Sequence, residues 1–308
     1  MKLPNQNSKL SKIVDLYLHS DKFLRLQGRT QKEYERYLNK VLNTKTHSAG
    51  LLKNRRVCDI TAGMLNLAYA HWLKTLGLRP ANYCKQVLSV AWRYAMSLDI
   101  MTHNPVALIS TITPPPRRIK WEREEIKSFL ATAYSNHKWR SIGLIVQMAY
   151  DWGQRVGDMR LLTWDSINLD TCRMDLAQSK RGAEVHLPIS KGLCAILADQ
   201  HKDFGYQKYV APFVSIDGGI LRPYQKEEIA PLINKILDEA HLRRELTAMD
   251  LRRTAVTEML EGGVDGASMT QVTGHKNIAS LKPYMVNTFS GASKALAARG
   301  NNDDDEHS

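Results

Sequence analysis

The sequence predicts a mainly α-helical protein that consists of an N-terminal helical bundle and a larger mixed α+β domain with one small antiparallel sheet. Three observations favour this fold class: apolar residues recur at helical spacing along most of the chain, a run of prolines interrupts the pattern, and a pair of strand-like segments follows it. The 308 residues are enough for two hydrophobic cores. We expect domains at 1–113 and 119–298, a linker at 114–118 and an acidic tail at 299–308.

The first domain is predicted to contain four or five helices. Apolar positions follow the helical period in four segments, residues 10–18, 34–42, 64–76 and 83–98. Gly77 and the pair Asn104-Pro105 are typical of helix ends. Three consecutive prolines at 114–116 favour a stiff, extended segment, so the domain boundary is expected there.

In the second domain the apolar residues change at one place from helical spacing to the alternation of strands. Glu124 and Glu125 suit the first turn of a helix whose apolar face includes Ile126, Phe129 and Leu130. The other predicted elements are a buried helix at 142–150, two strands at 174–177 and 185–189 around a polar turn at 179–182, and helices from about 227 to about 298.

The composition argues against several classes of protein. Hydrophobic residues make up 43% and charged residues 24%, which is typical of globular domains. No apolar run approaches the ~20 residues of a membrane helix, and no hydrophobic segment follows the first lysines, so we expect no membrane span, no secretory signal and a cytoplasmic location. The 4 cysteines form no C-x-x-C pair, which favours reduced thiols over a metal site.

Positive charge is concentrated in the first domain. The whole chain has a formal net charge of +12, and residues 1–113, with 17 basic and 6 acidic side chains, account for +11 of it. Such a segment is suited to a polyanion such as nucleic acid, although a basic solvated surface would have the same composition. The candidate phosphate contacts are Lys53, Arg55, Arg56, Arg117 and Arg118.

Four segments after the linker carry distinctive residues. The first, D-W-G-Q-R-V-G-D-M-R-L-L-T-W, spans 151–164, and the second is the turn around Lys180. The third, M-D-L-R-R-T-A-V-T-E-M-L-E-G-G, spans 249–263, and the fourth, T-G-H-K-N-I-A-S-L-K-P-Y-M, spans 273–285. In this order and at these spacings they resemble the catalytic domain of the tyrosine recombinases, the phage integrase family, over roughly residues 114–290.

The motifs of that family match this chain residue by residue. Arg155 stands in a G-x-R-x-x-D/E-x-x-x-L-x-W pattern with Asp158 at the acidic position, Lys180 stands at the predicted hairpin tip, and Arg252 takes the arginine of H-x-x-R. A glycine-histidine pair follows that arginine, and a tyrosine lies nine residues beyond the histidine; these two matches are His275 and Tyr284.

One position departs from the family pattern. Met249 replaces the histidine of H-x-x-R. Because a thioether exchanges no protons and is a weak acceptor, no proton transfer can be assigned to this position. His275 would then serve alone or with water.

The resemblance implies a recombinase with a SAM-like core-binding domain ahead of the catalytic domain. It implies that Tyr284 cleaves DNA through a 3′-phosphotyrosyl intermediate, without metal, ATP or another cofactor. Expected partners are double-stranded recombination sites, further copies of the chain in a tetrameric synapse, and a DNA-bending accessory protein. The expected setting is integration or excision of a phage or other mobile element in bacterial or phage-infected cytoplasm.

Physical chemistry accounts for these residue types. Two arginines can bind the non-bridging oxygens of a phosphate with forked hydrogen bonds and stabilise the charge of the pentavalent transition state. Forming a tyrosine phenolate at pH 7 costs about 4 kcal/mol, and nearby Arg155 and Arg252 would lower this cost. Lys180 is the expected general acid for the leaving 5′ oxygen, while His275 would bind the phosphate or assist proton movement.

The segment around the tyrosine is predicted to be helical. Pro283 suits a first helical position, so a short helix is expected to begin there, with Tyr284 near its exposed start. Residues 285–298 are expected to form a terminal helix, which by the resemblance docks on a neighbouring protomer.

Other functions stay open on the sequence alone. An Xer-like resolvase shares all these motifs, and a type IB topoisomerase would reseal the same strand instead of exchanging it. A DNA-binding regulator would use the segment 258–284, which resembles a helix-turn-helix around Gly262-Gly263, and would form no covalent adduct. A metal-dependent nuclease would need acids such as Asp158, Asp170, Asp175 or Glu184 and would stop in EDTA.

Overall fold

The computed structural model describes residues 3–46, 50–179, 182–215 and 221–284, and the pairs 292–293 and 296–297. The chain divides into two compact units, Met1–Pro115 and Pro116–Ser308. Within the described segments, no helix has the length and apolar character that crossing a membrane requires.

The first unit, as far as it is described, is a bundle of five α-helices. They are α1 (Leu10–Leu18), α2 (Asp21–Leu24), α3 (Gly28–Leu42), α4 (Ala62–Leu76) and α5 (Leu78–Met96). Strands β1 (Lys45–Thr46) and β2 (Gly50–Leu51) form a short antiparallel ribbon after α3, and 3₁₀ turns lie at Leu52–Asn54, Val57–Asp59 and Pro105–Leu108.

Buried tryptophans form the centre of this bundle. Trp72 and Trp92 are almost fully buried, and each indole N–H finds an acceptor: the Thr44 hydroxyl at 2.7 Å and the His103 carbonyl oxygen at 3.0 Å. Gly77 alone separates α4 from α5, with φ +86° and ψ 171°. This backbone conformation is essentially restricted to glycine, which explains why the helix ends where the sequence predicts.

The second unit surrounds a small sheet with helices. Its helices are α6 (Arg123–Ser135), α7 (Arg140–Asp151), α8 (Val156–Met159), α9 (Lys191–Phe204), α10 (Lys226–Glu239), α11 (Ala248–Glu261) and α12 (Gly266–Thr273), and a 3₁₀ helix spans Ile278–Tyr284. Its strands are β3 (Ile167–Asn168), β4 (Arg173–Ala177), β5 (Glu184–Pro188), β6 (Phe213–Val214) and β7 (Leu221–Arg222).

Helix α7 and the β4–β5 hairpin hold the core of this unit. Eight of the twelve residues of α7 are buried, and the helix packs against α6 and α11. Strands β4 and β5 are antiparallel and pair from Arg173 opposite Pro188 to Ala177 opposite Glu184, with β3 on the outer side of β4. The mainly α fold and the predicted hairpin are confirmed.

The structure contains elements that the sequence analysis missed. Helix α9, strand β3 and the ribbons β1–β2 and β6–β7 are additional, so the prediction of one small sheet was incomplete. Helix α9 begins at a recognisable cap, because the Ser190 hydroxyl accepts a hydrogen bond from the Leu193 N–H at 3.3 Å. The ribbons consist of two-residue strands, which are too short to show the alternation of a strand.

The helix near the C terminus begins earlier than predicted. The 3₁₀ helix starts at Ile278, five residues before Pro283, because the Asn277 side chain accepts a hydrogen bond from the Ser280 N–H at 2.9 Å and so caps the first turn. The predicted acidic tail lies outside the described residues, as does most of the predicted terminal helix at 285–298.

Candidate active site

Arg155 is held at the start of α8 by two neighbours. Its side chain is 23% exposed, and its Nη1 donates to Gln178 Oε1 at 2.8 Å and lies 3.7 Å from Asp158 Oδ2. Gly153, two residues earlier, has φ +58° and turns the chain from α7 towards α8. The guanidinium is therefore fixed through Nη1, and part of the side chain remains exposed to solvent.

Asp158 connects this arginine to the hairpin. Its carboxylate is buried, and Oδ1 accepts hydrogen bonds from the Ser179 N–H at 3.2 Å and from the Ser179 hydroxyl. Ser179 directly precedes Lys180, and Lys180 itself lies outside the described residues. Asp158 thus positions the start of the turn that carries the predicted general acid.

Arg252 and His275 are brought together by α11 and the end of α12. Arg252 is 3% exposed; its Nη2 donates to the Thr273 carbonyl oxygen at 2.7 Å and lies 3.2 Å from each ring nitrogen of His275. His275 is 7% exposed. The two side chains and Thr273 form one buried hydrogen-bonded cluster.

The hydrogen bonds of Thr273 select the tautomer of His275. The Thr273 hydroxyl donates its proton to the Met269 carbonyl oxygen at 2.6 Å, so it can only accept from His275 Nδ1 at 2.7 Å. Nδ1 therefore carries a proton in the neutral ring, which leaves Nε2 to accept from Arg252.

Gln178 and Gln154 are site residues that the sequence analysis missed. Both are buried; Gln178 Nε2 donates to Gln154 Oε1 at 2.6 Å and to the Thr273 carbonyl oxygen at 2.9 Å. Gln154 Nε2 in turn donates to the Val272 carbonyl oxygen at 2.6 Å. Nothing in the local sequence marks Gln178 as a site residue, because a glutamine after a strand has the same residue type whether it is buried or exposed.

Gly274 leaves room for this amide network. It adopts a left-handed conformation with φ +66° at the C-terminal cap of α12. A Cβ atom at this position would lie 2.6 Å from Gln178 Nε2 and 2.8 Å from Gln178 Cδ. Glycine is therefore required at this position of the predicted glycine-histidine pair for two reasons. It permits the left-handed backbone conformation, and any side chain would clash with the Gln178 amide.

The structure describes the side chain of Met249 but only the backbone of Tyr284. Met249 lies in the first turn of α11, three residues before Arg252, and is 83% exposed. Tyr284 is the last residue of the 3₁₀ helix, and its side chain lies outside the described residues. Leu281, buried against Val256 and Met269, fixes this 3₁₀ helix to α11 and α12.

Asp250 holds several groups together at the start of α11. Its buried carboxylate binds Arg117 Nη2 at 2.7 Å, Arg253 Nη1 at 2.7 Å and the Thr247 hydroxyl at 2.7 Å. Burial raises the pKa of the Asp250 carboxyl, but the hydrogen bonds from Arg117 and Thr247 outweigh burial and keep its pKa below the ordinary value. These bonds fix the start of α11.

The predicted DNA contacts differ in their surroundings. Lys53 Nζ donates to Asn43 Oδ1 at 3.1 Å, and Arg56 Nε lies 2.7 Å from Asp59 Oδ2 on the surface. The guanidinium of Arg117 is engaged by Asp250. Arg55 is partly exposed, and Arg118 is exposed.

A basic stripe on α3 was missed. Its members share one exposed side of the helix, opposite the buried Leu38 and Val41. They are Arg29, Lys32, Arg36 and Lys40. The spacing of three, four and four residues keeps them on one helical face, so the sequence already contained the signal.

The comparisons with known proteins identify the class. The model of the phage integrase family matches residues 121–290, more than half of the chain, and the chain therefore belongs to this family. The integrase of Enterobacteria phage 434 is 27% identical over 168 residues, which cover 54% of this chain and 45% of that protein. The tyrosine recombinase XerA of Pyrococcus horikoshii is 26% identical over 146 residues, 46% of this chain and 48% of that protein. The match thus spans just under half of each of these two relatives.

Solved structures share the fold over most of the chain. A lambda integrase dimer bound to a COC′ core site superimposes with a TM-score of 0.73 at 18% identity, covering 91% of this chain and 77% of that one. The Tn1549 transposon integrase in complex with a circular intermediate DNA gives a TM-score of 0.72 at 14% identity, covering 94% of this chain and 99% of that one.

Proposed function

We propose that this chain is a site-specific DNA recombinase that cleaves and rejoins strands through a 3′-phosphotyrosyl intermediate. The observation that carries the proposal is one hydrogen-bonded cluster: Arg155 donates to the Gln178 amide, this amide and Arg252 both donate to the Thr273 carbonyl oxygen, and His275 contacts Arg252. Three residues far apart in the sequence are assembled where a phosphate needs cationic donors. The family to which the chain belongs supports the same assignment.

In the proposed reaction the Tyr284 phenol oxygen attacks the scissile phosphorus. The P–O5′ bond breaks, the 5′ oxygen takes a proton from Lys180, and the phenol proton is lost to His275 or water. Arg155 and Arg252 bind the non-bridging oxygens and stabilise the pentavalent transition state. The ester energy stays in the phosphotyrosine, so the 5′ hydroxyl of a second strand reverses the step without ATP.

The first unit supports binding of double-stranded DNA. It carries nearly all of the net charge, and the stripe on α3 presents four cations to solvent. Lys53, Arg55, Arg56 and Arg118 are further proposed phosphate contacts. Arg117 remains a proposed contact only at its exposed side, since Asp250 binds its guanidinium.

Assembly on DNA and biological setting are parts of the same proposal. One solved structure with this fold is a lambda integrase tetramer bound to a Holliday junction, with a TM-score of 0.73. We propose a tetrameric synapse, a DNA-bending accessory protein, and integration or excision of a phage or other mobile element in the cytoplasm. An Xer-like resolvase is the second candidate, because the chain is also similar to tyrosine recombinases named XerA and XerC.

Covalent selection tests the proposal without knowledge of the target site. A pool of nicked duplexes with a randomised centre is incubated with the protein in EDTA, and strands that stay attached to protein after denaturation are recovered and sequenced. We expect an enriched sequence, and loss of the adduct in Tyr284→Phe. The matched control is Tyr206→Phe, because Tyr206 is 77% exposed in the same unit.

Each rival predicts a different outcome in this selection or in a parallel assay on supercoiled plasmid, run with a divalent cation and with EDTA. An adduct that survives Tyr284→Phe would show that another residue is the nucleophile. Relaxation of supercoiled plasmid with no enriched sequence favours a topoisomerase, and specific binding without any adduct favours a regulator. Dependence on a divalent cation favours a nuclease, although in the described residues Asp158, Asp170, Asp175 and Glu184 form no metal-ligating group.

A further inference from the structure

One buried amide joins the two arginine-bearing segments. Gln178 is 1% exposed; its Oε1 accepts from Arg155 Nη1 at 2.8 Å, and its Nε2 donates to Gln154 Oε1 at 2.6 Å and to the Thr273 carbonyl oxygen at 2.9 Å. The same carbonyl oxygen accepts from Arg252 Nη2 at 2.7 Å. Both N–H groups of the Gln178 amide and its carbonyl oxygen are thereby engaged.

The main chain of Gln178 is fixed as firmly as its side chain. Its N–H donates to the Ala183 carbonyl oxygen at 2.8 Å, and its carbonyl oxygen accepts from the Gly182 N–H at 2.9 Å, which closes the turn that contains Lys180. The main chain at Gln178 therefore cannot shift without breaking hydrogen bonds of the hairpin turn. The position of the Arg155 guanidinium, which donates to this side-chain amide, is therefore set by the position of Gln178.

We propose that Gln178 is a positioning residue, a buried amide that sets the placement of Arg155 relative to Arg252 and thereby their joint binding of the scissile phosphate. The inference rests on the proposed function. Flexible guanidinium side chains bind two oxygens of one phosphate only if their mutual placement is correct, and a shift of about 1 Å can cost on the order of 100-fold in rate. Through Gln178 and Thr273 the two guanidiniums belong to one continuous chain of hydrogen bonds.

The alternative is that Gln178 is only a satisfied polar group of the core. In that case its loss lowers stability and reduces the active fraction, and every substrate suffers equally. A positioning role predicts instead a defect that depends on the negative charge of the phosphate, because that charge is what the arginines neutralise. The two roles therefore separate on a substrate without the charge.

The experiment compares two versions of the duplex enriched by covalent selection. One has a normal scissile phosphodiester, and the other has a methylphosphonate, in which a methyl group replaces one non-bridging oxygen and removes the charge. Single-turnover adduct formation and DNA affinity are measured for the wild-type chain and for Gln178→Leu. The leucine has a similar volume and makes none of the hydrogen bonds.

We expect Gln178→Leu to lose between about 10- and 100-fold in rate on the phosphodiester, with a DNA Kd within about twofold of the wild-type value. On the methylphosphonate we expect its rate to come within about threefold of the wild-type rate, since little charge is left to neutralise. The ratio of the two rates does not depend on the active fraction, so partial unfolding does not obscure the result.

Gln200→Leu is the matched control. Gln200 is fully buried in α9, in the same unit, and its Nε2 donates to the Val210 carbonyl oxygen at 3.1 Å. The change removes a buried amide hydrogen bond elsewhere in the unit. We expect a lower unfolding midpoint and an unchanged ratio between the two substrates.

Three results would overturn the inference. Gln178→Leu could cleave the phosphodiester at the wild-type rate, or it could lose the same factor on both substrates, as a purely structural residue would. A wild-type chain that forms no adduct on either duplex would overturn the proposed function itself, and the positioning role would fall with it.

Discussion

The two arginines are the side chains on which the proposed chemistry depends most. We expect Arg155→Ala and Arg252→Ala each to lower the rate of covalent adduct formation at least ~100-fold, the scale for removing a transition-state donor. Arg123→Ala is the control, because Arg123 is 71% exposed and pairs with Glu258 on the surface, where ion pairs contribute little. Single-turnover rates on the selected duplex measure the effect, and near-normal rates in either site variant would contradict the proposed phosphate binding.

Met249 offers a gain-of-function test at the same scale. It stands three residues before Arg252 on the same side of α11 and is 83% exposed, so an imidazole there displaces no buried neighbour. We expect Met249→His to raise the rate of adduct formation by on the order of tenfold, because an imidazole adds a donor and a proton carrier. Met249→Leu, which adds neither, should leave the rate unchanged, and equal rates for the two variants would refute the prediction.

Gly274 is where a single methyl group should cost most. Its φ is +66°, and an added Cβ would lie within 3 Å of three atoms of the Gln178 amide. We expect Gly274→Ala to lower the free energy of unfolding by about 2 kcal/mol, from backbone strain and the displaced amide. Gly192→Ala in α9, where an added Cβ would meet nothing within 4 Å, should be neutral or slightly stabilising in the same urea titration.

At the scale of elements, the start of α11 depends on one carboxylate. Asp250 binds Arg117, Arg253 and Thr247, and its pKa is held below the ordinary value of 3.8. A lowered folded-state pKa stabilises the protein above the unfolded-state pKa, and this contribution is lost as the pH falls through the folded-state value.

We therefore expect a pH-dependent effect of Asp250→Asn. At pH 7 the variant should lose about 2–3 kcal/mol in the free energy of unfolding, because two arginines lose their partner in a buried setting. The difference from the wild-type chain should shrink once the pH falls below about 4, where the carboxylate begins to be protonated in the unfolded state. Asp199→Asn, which removes an exposed pair with Lys202, is the control and should show little effect at any pH. A constant difference across pH would mean that the charge of Asp250 does not matter.

At the scale of the whole molecule, charge separates the roles of the two units. The first unit carries the positive charge, and the second carries the assembled arginines. We expect the combined change Arg29→Ala, Arg36→Ala and Lys40→Ala to weaken binding of nonspecific duplex DNA. The slope of log affinity against log salt should fall by about 0.9 for each phosphate that the variant no longer neutralises.

The control for this triple variant removes the same charge elsewhere. Alanine at the exposed Lys127, Lys138 and Lys202 of the second unit tests whether net charge alone explains the effect. Both triple variants are titrated with the same duplex over a range of salt concentrations. Equal salt slopes for the two would contradict a role for α3.

The sequence predicted the fold class because long helices with apolar stripes dominate it, and it predicted the candidate site because the motifs are ordered. It could not predict the two-residue ribbons, since pairing over so short a length is decided by tertiary contacts. Helix α9 and the stripe on α3 had visible signals, a serine cap and a regular cationic spacing, that were not used.

The amide network was hidden for a different physical reason. Gln178 and Gln154 contact residues some 95 and 118 positions away along the chain, and a buried amide at a strand end has the same residue type as an exposed one. The partners of Asp250 were hidden for the same reason, because several arginines lie near this carboxylate in the sequence or the fold and only packing decides which of them it binds.

The link between the two guanidiniums through the Thr273 carbonyl oxygen has a consequence for the evolution of the sequence. The oxygen that accepts from both Arg252 and Gln178 belongs to the polypeptide main chain at Thr273, so no codon change at that position can delete it. Drift can replace the surrounding side chains while this connection persists, as long as the backbone keeps its path. A hydrogen-bonded link through a peptide carbonyl therefore allows substitution of the side chains around an active site without loss of the link itself.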